Sequence, residues 1–242
     1  MADNVVGAEI THWLLANYRD DVALVVTTGD NAISESARAA TVPTIVFESD
    51  AQVAQHVAVA AMSIDLALVA WWPKLIRHPL LRVAKHGMIN THPSLLPHNR
   101  GKHYNFWALV EEAPFGVTLH FVEDGIDSGD IVAQQPIAYD WEDTGETLFV
   151  KARQAMVSLV AQTYPTLRTL SIPRRGQDTS LGSLHFAREL DAASAFDINQ
   201  SYSARHLLNV LRARTFAGHP AAWFADDNNE YEVRVDIRKR TR

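Results

Sequence analysis

The chain has no cysteine, which removes disulfides, thiolate nucleophiles and cysteine-ligated metal centres and suits a cytoplasmic enzyme. It also lacks a basic excess. Lys and Arg number 22 against 28 Asp and Glu, a net charge of −6, so no global positive field is available for polyanionic nucleic acid. A nucleotide-sized anion needs only a local patch. No apolar run approaches the roughly 18 residues of a membrane span, and Met1-Ala2-Asp3-Asn4-Val5-Val6-Gly7 has neither the basic start nor the apolar run of a signal peptide. A soluble protein with no membrane and no nucleic-acid partner is expected. No glycine-rich triphosphate loop occurs, and Ser94 lies between Pro93 and Leu95 without the glycine-flanked elbow of a nucleophilic serine. The histidines at 86, 92, 98, 103 and 120 follow no zinc spacing. No metal is expected.

What is present is a chain of 242 residues, 47% hydrophobic and 21% charged, enough for one sizeable core and an appendage. Gly7 to Tyr18 puts Ile10, Trp13, Leu14 and Leu15 at helical spacing. Val22 to Thr28 is a β-branched run that reads as a buried strand, and a polar helix follows over Ser34 to Ala40. Pro43 to Phe47 is a short strand, and Ser49-Asp50 caps a helix through Ala61. Leu66 to Trp72 and Gly87 to Ile89 are further buried strands, with Trp71 and Trp72 read as core. This alternation specifies an α/β fold with a parallel sheet and crossover helices. Later come a helix over His103 to Glu112, strands over Val117 to Val122 and Ile131 to Tyr139, and a long amphipathic helix over Thr144 to Leu170. Pro136 marks the second of those strands as an edge or bulge.

Asn90-Thr91-His92-Pro93-Ser94-Leu95-Leu96-Pro97 leaves the end of a strand, and Asp127 lies in the turn-forming run Glu123-Asp124-Gly125-Ile126-Asp127-Ser128-Gly129. An amide, an imidazole and a carboxylate thus stand where ligands collect in open parallel sheets. Singly, each is an ordinary turn or loop residue. The run Asn-x-His-Pro-Ser-Leu-Leu-Pro-x-x-Arg-Gly, followed by His-Phe-Val-x-x-x-Ile-Asp-x-Gly, resembles the folate-dependent formyltransferases. The resemblance implies a Rossmann-like, mostly parallel catalytic core, a formyl donor in 10-formyltetrahydrofolate, and a catalytic trio of Asn90, His92 and Asp127. It further implies that Lys74, Leu75 and Ile76, with Glu123 and Asp124, bind the folate. The residues themselves leave a second reading of the first three, a helix start with Pro73 at its first position.

Arg100-Gly101-Lys102-His103-Tyr104 looks like the branch acting on nucleotide-linked amino sugars, as does Leu211-Arg212-Ala213-Arg214-Thr215-Phe216 with Pro220 and Trp223. By that resemblance Arg100, His103, Tyr104, Arg212, Arg214 and Phe216 contact a dTDP-linked 4-amino-4,6-dideoxyhexose. Glycinamide ribonucleotide or another amine is the alternative acceptor, and a catalytically impaired binding protein is a third reading. Arg212 and Arg214 also fit a solvated helix end, and Phe216 and Trp223 fit a small core or a homodimer contact. The polar run Pro173 to Asp178 suggests a boundary near 180, dividing a catalytic core of residues 1–180 from a small α+β extension of residues 181–242 with a helix and a hairpin. In the family a strand precedes the first helix. Here only Met1 and Ala2 stand in its place, so either a displaced start or a lost strand is expected.

In formyl transfer a tetrahedral carbon develops an oxyanion. The Asn90 amide and a protonated His92 are expected to donate to it, while Asp127 favours the charged imidazole and relays the amine proton.

Overall fold

The computed structural model describes residues 1–241. In chain order the elements are α1 (Asn4–Tyr18), β1 (Val25–Thr27), α2 (Ala32–Ala39), β2 (Thr44–Val46), α3 (Asp50–Val59), β3 (Ala67–Ala70) and β4 (Met88–His92). There follow β5 (Arg100–Gly101), α4 (Tyr104–Val110), β6 (Gly116–Phe121), β7 (Ile131–Pro136) and α5 (Gly145–Arg168). The last are β8 (Leu184–His185), α6 (Leu190–Ser194), α7 (Ala204–Ala213), β9 (Ala222–Asp226) and β10 (Asn229–Val233). Side-chain caps start the main helices, with α2 beginning two residues ahead of the expected Ser34. Asn31 and Ser34 form a reciprocal capping box on α2, and Thr144 and Thr147 another on α5. The Ser49 hydroxyl accepts from Gln52 N–H at the start of α3, and Ser203 accepts from His206 N–H at the start of α7. No helix follows Pro73, because residues 73–79 run as an irregular loop.

β1 pairs with β2 and β3 with β4, both parallel, whereas β4–β6 and β6–β7 are antiparallel. β7 lies at the edge, which is where Pro136 is tolerated. On one face of the sheet Ile89, Val117 and Leu119 are sealed beneath α5 with Leu148, Ala152 and Met156. A smaller cluster on the other face holds Val26, Val53, Val69, Trp72 and Met88. Trp72 packs edge-on to Phe47 at 5.2 Å, as a core residue.

Met1 and Ala2 lie between β1 and β3 and pair with both. Ala2 N–H donates to Val26 O at 2.9 Å, and Ala70 N–H donates to Met1 O at 2.8 Å. These two residues occupy the lane of the expected first strand. The rest of that lane is a cavity of about 500 Å³ lined by Leu14, Leu15, Leu24, Val57, Leu68 and Leu167. The Met1 residue keeps partial exposure, but its amine is enclosed and donates to Leu68 O at 2.8 Å. Burial pushes that amine down from 8.0 to about 5.

After α5 the chain returns along the sheet, with Arg175 bridging to Ile131. β8 then pairs with β5 in parallel, Gly101 opposite His185. The extension closes with α7 packed on a hairpin of β9 and β10 around Val210, Leu211 and Ala222. No helix among the described residues is long and apolar enough to cross a membrane.

Candidate active site

Side chains alternate across a strand, so Asn90 and His92 leave β4 on the face opposite Ile89. The antiparallel register sets Asn90 directly across from His120 on β6, and His92 across from Thr118. The segment after His92 is tied down by polar side chains of the same face. Thr118 Oγ1 donates to Ser94 O and accepts from Leu96 N–H, and Gln134 Nε2 donates to Leu96 O. Ser94 Oγ donates to His98 O at 2.7 Å. This tether returns the chain to Gly101, whose N–H donates to Asp127 Oδ2 at 3.0 Å. Gly101 has φ +87, and a Cβ there would lie 2.2 Å from His185 O. Only glycine meets both demands.

Asp127 is carried by the loop between β6 and β7, itself in a left-handed conformation with φ 50. Gln177 Nε2 holds this loop from outside by donating to Asp127 O and Gly129 O. A Cβ at Gly129 would lie 2.0 Å from Phe121 O, so the tight return needs glycine as well. The trio converges. Asp127 Oδ2 lies 3.4 Å from His92 Nδ1, and its Oδ1 lies 3.4 Å from Asn90 Nδ2. His120 Nε2 completes the group at 3.5 Å from Asp127 Oδ1 and 3.2 Å from Asn90 Nδ2.

Burial opposes the Asp127 charge, but His92, His120 and the Gly101 N–H together outweigh it and hold the carboxyl well below the usual range. His92 is pushed down, chiefly by burial, with His120 and Lys102 adding to the effect against the pull of Asp127 and the Asn99 carbonyl. Burial thus opposes the charged form of His92 in the resting site, where the 5% exposed imidazole has lost its hydration beside an ionised aspartate. Its other nitrogen, Nε2, faces the Asn99 carbonyl oxygen at 3.3 Å. A neutral ring has one N–H for two acceptors, so one contact is left unmet. One proton added to His92 satisfies both. The resting site is thus built to take up a proton.

Of the other residues singled out in the sequence, Tyr104 is beside the trio, and His103 precedes it in the chain. Tyr104 packs edge-on to His92 at 6.0 Å, and His103, with φ 58, turns the chain into α4. An aromatic run continues from Tyr104 through Trp71 and Phe149 to Phe216, with centroids 6.3, 5.4 and 5.5 Å apart. Phe216 is thereby joined to the wall that starts at His92. Arg214 lies close enough to His103 to lower its pKa, after the larger effect of burial. Arg214 and Arg100 each carry a buried Nε without a partner.

Arg212 is not brought to this wall. It is 3% exposed, and its guanidinium donates to Asp140 O, Asp143 O and Asn209 Oδ1 while lying 4.6 Å over Trp141. Its Nε and Nη1 are thus used in joining α7 to the core. Lys74 and Leu75 are exposed and Ile76 half-buried on the 73–79 loop, where none of the three makes a backbone hydrogen bond among the described residues. Glu123 pairs with Arg174 at 2.8 Å, and Asp124 is exposed beside it.

Sequence reasoning passed over His120, Gln177 and the Gly101 N–H. His120 stood in a quoted motif, but its facing Asn90 depends on strand register, which a strand pattern alone does not reveal.

Comparison with known proteins identifies the family. A formyl transferase family model matches residues 5–163, and a model described as the N-formyltransferase dimerization C-terminal domain matches residues 189–239. A methionyl-tRNA formyltransferase of Thermodesulfovibrio yellowstonii is 33% identical over 174 residues, which is 72% of this chain. The aligned part spans 55% of that relative's length. The fold is that of a sugar N-formyltransferase from Shewanella sp FDAARGOS_354, with TM-score 0.81, 18% identity, and 99% of this chain and 97% of that one covered. The N-formyltransferase of Helicobacter canadensis, solved with folinic acid and dTDP-3-aminofucose, gives TM-score 0.71 and 17% identity, covering 89% of this chain and 79% of that one. On that match over residues 5–163, well over half of its length, this chain belongs to the formyl transferase family.

Proposed function

We propose that this protein transfers a formyl group from 10-formyltetrahydrofolate to the amino group of a dTDP-linked 4-amino-4,6-dideoxyhexose. The observation that carries the reading is the convergence of Asn90 and His92 on Asp127, each at 3.4 Å, with His92 against an aromatic wall that ends on Phe216. The chain of argument runs through the proton. An aliphatic amine must be neutral to attack, and the neutral His92 beside ionised Asp127 is a proton acceptor at neutral pH. When the amine nitrogen bonds to the formyl carbon, the carbonyl π electrons move to oxygen, and the amine proton passes to His92. Collapse of the tetrahedral carbon then breaks the bond to the folate nitrogen, which takes the proton. The Asn90 amide is the donor nearest to where the oxyanion forms.

The loop of Lys74, Leu75 and Ile76 fits a pterin, because it offers unpaired backbone groups beside the apolar cluster of Trp72 and Met88. Arg100 and Arg214, each with an unpartnered buried Nε, suit a diphosphate, and Trp71, Tyr104 and Phe216 suit a sugar and base. His103 stands between these groups. Arg212 has no part in the proposal. Charge excludes neither acceptor, but the extension favours the nucleotide sugar over glycinamide ribonucleotide, since Phe216 belongs to it. Glu123 and Asp124 flank the donor side, and the extension, with Leu208 and Tyr231 exposed, forms the homodimer contact. Residues 1–180 form the catalytic unit in this reading, and residues 181–242 complete the acceptor site.

Incubation with 10-formyltetrahydrofolate and a panel of dTDP-linked 4-amino and 3-amino sugars and glycinamide ribonucleotide, read by mass, tests it. A formyl gain on a 4-amino sugar is expected. A gain on glycinamide ribonucleotide alone overturns the acceptor and keeps the mechanism, and binding without any gain overturns the enzyme.

A further inference from the structure

The transfer as described leaves one buried imidazole unused. His120 is 2% exposed and stands opposite Asn90 in the β4–β6 register. Its Nδ1 lies 2.8 Å from the Phe121 carbonyl oxygen. A carbonyl oxygen only accepts, so Nδ1 carries the hydrogen, and in the neutral ring Nε2 presents a bare lone pair. That lone pair lies 3.2 Å from the amide nitrogen of Asn90.

We infer that His120 is a positioning residue. Its Nε2 accepts one N–H of Asn90 and so fixes which end of that amide faces the reacting carbon. The inference rests on the formyl-transfer reading above. The two ends of a side-chain amide are nearly the same size, so packing alone does not choose between them. Chemistry does. With nitrogen toward His120, one amide hydrogen is anchored on Nε2 and the other points at Asp127 Oδ1 across 3.4 Å. That second contact is long, and a developing oxyanion can claim its hydrogen. With the amide reversed, its oxygen would face the Nε2 lone pair and the Asp127 carboxylate together, acceptor against two acceptors. Asn90 Oδ1 has no partner among the described residues in the orientation observed. The cross-strand pair is therefore a device that aims a donor, and the Phe121 carbonyl is what keeps it set.

The test uses the full chain with 10-formyltetrahydrofolate and a dTDP-linked 4-amino-4,6-dideoxyhexose. His120→Phe removes the acceptor and keeps the volume. It is expected to lower kcat by about 100-fold, the size of losing one aimed donor, with KM for both substrates nearly unchanged. His120→Gln, which restores an acceptor, is expected to recover about tenfold of that loss. Because His120 acts through Asn90, the double variant Asn90→Ala/His120→Phe should turn over no more slowly than Asn90→Ala alone. Additive losses, or a loss confined to KM, overturn the inference. If His120→Phe fails to fold by thermal unfolding, His120→Met carries the same expectation. Imidazole ¹⁵N spectra decide the matter without turnover: His120 as the Nδ1–H tautomer supports the inference, and an Nε2–H tautomer overturns it. Absence of product from every acceptor with the expected tautomer would instead count against the parent reading alone.

Discussion

At one place in this sheet a single carboxylate meets four partners within 3.5 Å, and at another a lane between two strands holds two residues and a cavity of about 500 Å³. The first place is Asp127. Its surroundings come from β4, β6, the Gly101 turn and its own loop, so its position is fixed from several directions. The second is the space beyond Met1 and Ala2, where β1 and β3 diverge around apolar side chains that touch little across the gap. Both regions bury polar groups. At Asp127 every buried charge has an answering donor, and in the lane an enclosed amine has one carbonyl and no counter-charge. The difference separates what holds the site in geometry from what holds the fold together. Loss of one group should end chemistry at the first place and alter stability at the second.

The sharpest break in that comparison is Asp127→Ala. It removes the proton-accepting pair and leaves the His92 imidazole, the Asn90 amide and the Gly101 N–H without their common acceptor, so turnover should fall by roughly a thousandfold or more. Steady-state kinetics on the acceptor found by mass detection checks it, and unchanged kcat would remove Asp127 from the mechanism. The same pair predicts a pH profile. Burial holds His92 below 6.5, so the acceptor form persists as pH falls to that value. The acid limb of kcat/KM should therefore lie below pH 6.5, and a limb above it would show that Asp127 dominates over burial.

The lane responds to pH in a different way. The Met1 amine titrates at 8.0 when free and about 5 in the fold. The unfolded chain therefore binds more protons between those values, and stability rises with pH from 5 to 8. Below pH 5 the amine is charged in both states and the full cost of burying it applies, whereas above pH 8 it is neutral in both and the cost vanishes. The change is at most about 4 kcal/mol, since each unit is worth about 1.36 kcal/mol and water in the cavity reduces it. Denaturant unfolding of the free and N-acetylated chains at pH 5 and 8 isolates this group from His92. Equal slopes in the two chains would mean that the amine is hydrated.

Much of this was legible in the residues, for reasons that differ by element. The helices over 50–59 and 145–168 announce themselves through Ser49 and Thr144, because a cap is a local signal, whereas the helix over 32–39 starts two residues before the expected Ser34, on a cap at Asn31. Asn90, His92 and Asp127 stood out through their ordered motifs, although β4 runs on through Asn90 to His92 instead of ending at Ile89 as the strand pattern suggested. What depended on pairing was not. His120 reads as one more residue of an apolar strand until the register sets it against Asn90. Arg212 carries the same charge as Arg214, yet two residues at the end of α7 separate a buried strut from a residue beside His103. Even the parallel pattern predicted from alternation holds only as far as β4, since β6 and β7 turn back antiparallel.

The smallest effect is the most direct measure of how differently the two regions are packed. Leu119 and Leu68 are both leucines on strands of the same sheet. Leu119 is completely buried in the main core beneath α5, next to the strand face that bears His120. Leu68 is half-buried and lines the cavity. Truncating the first leaves a new void among close-packed neighbours, which costs the lost transfer energy and the void together, roughly 3 kcal/mol or more. Truncating the second enlarges a space that already exists, so fewer contacts are lost, and about 1 kcal/mol is expected. Urea unfolding of Leu119→Ala and Leu68→Ala at pH 8, where the amine makes no contribution, gives the two numbers side by side. Equal losses would mean that the lane between β1 and β3 is packed in solution as tightly as the core under the site.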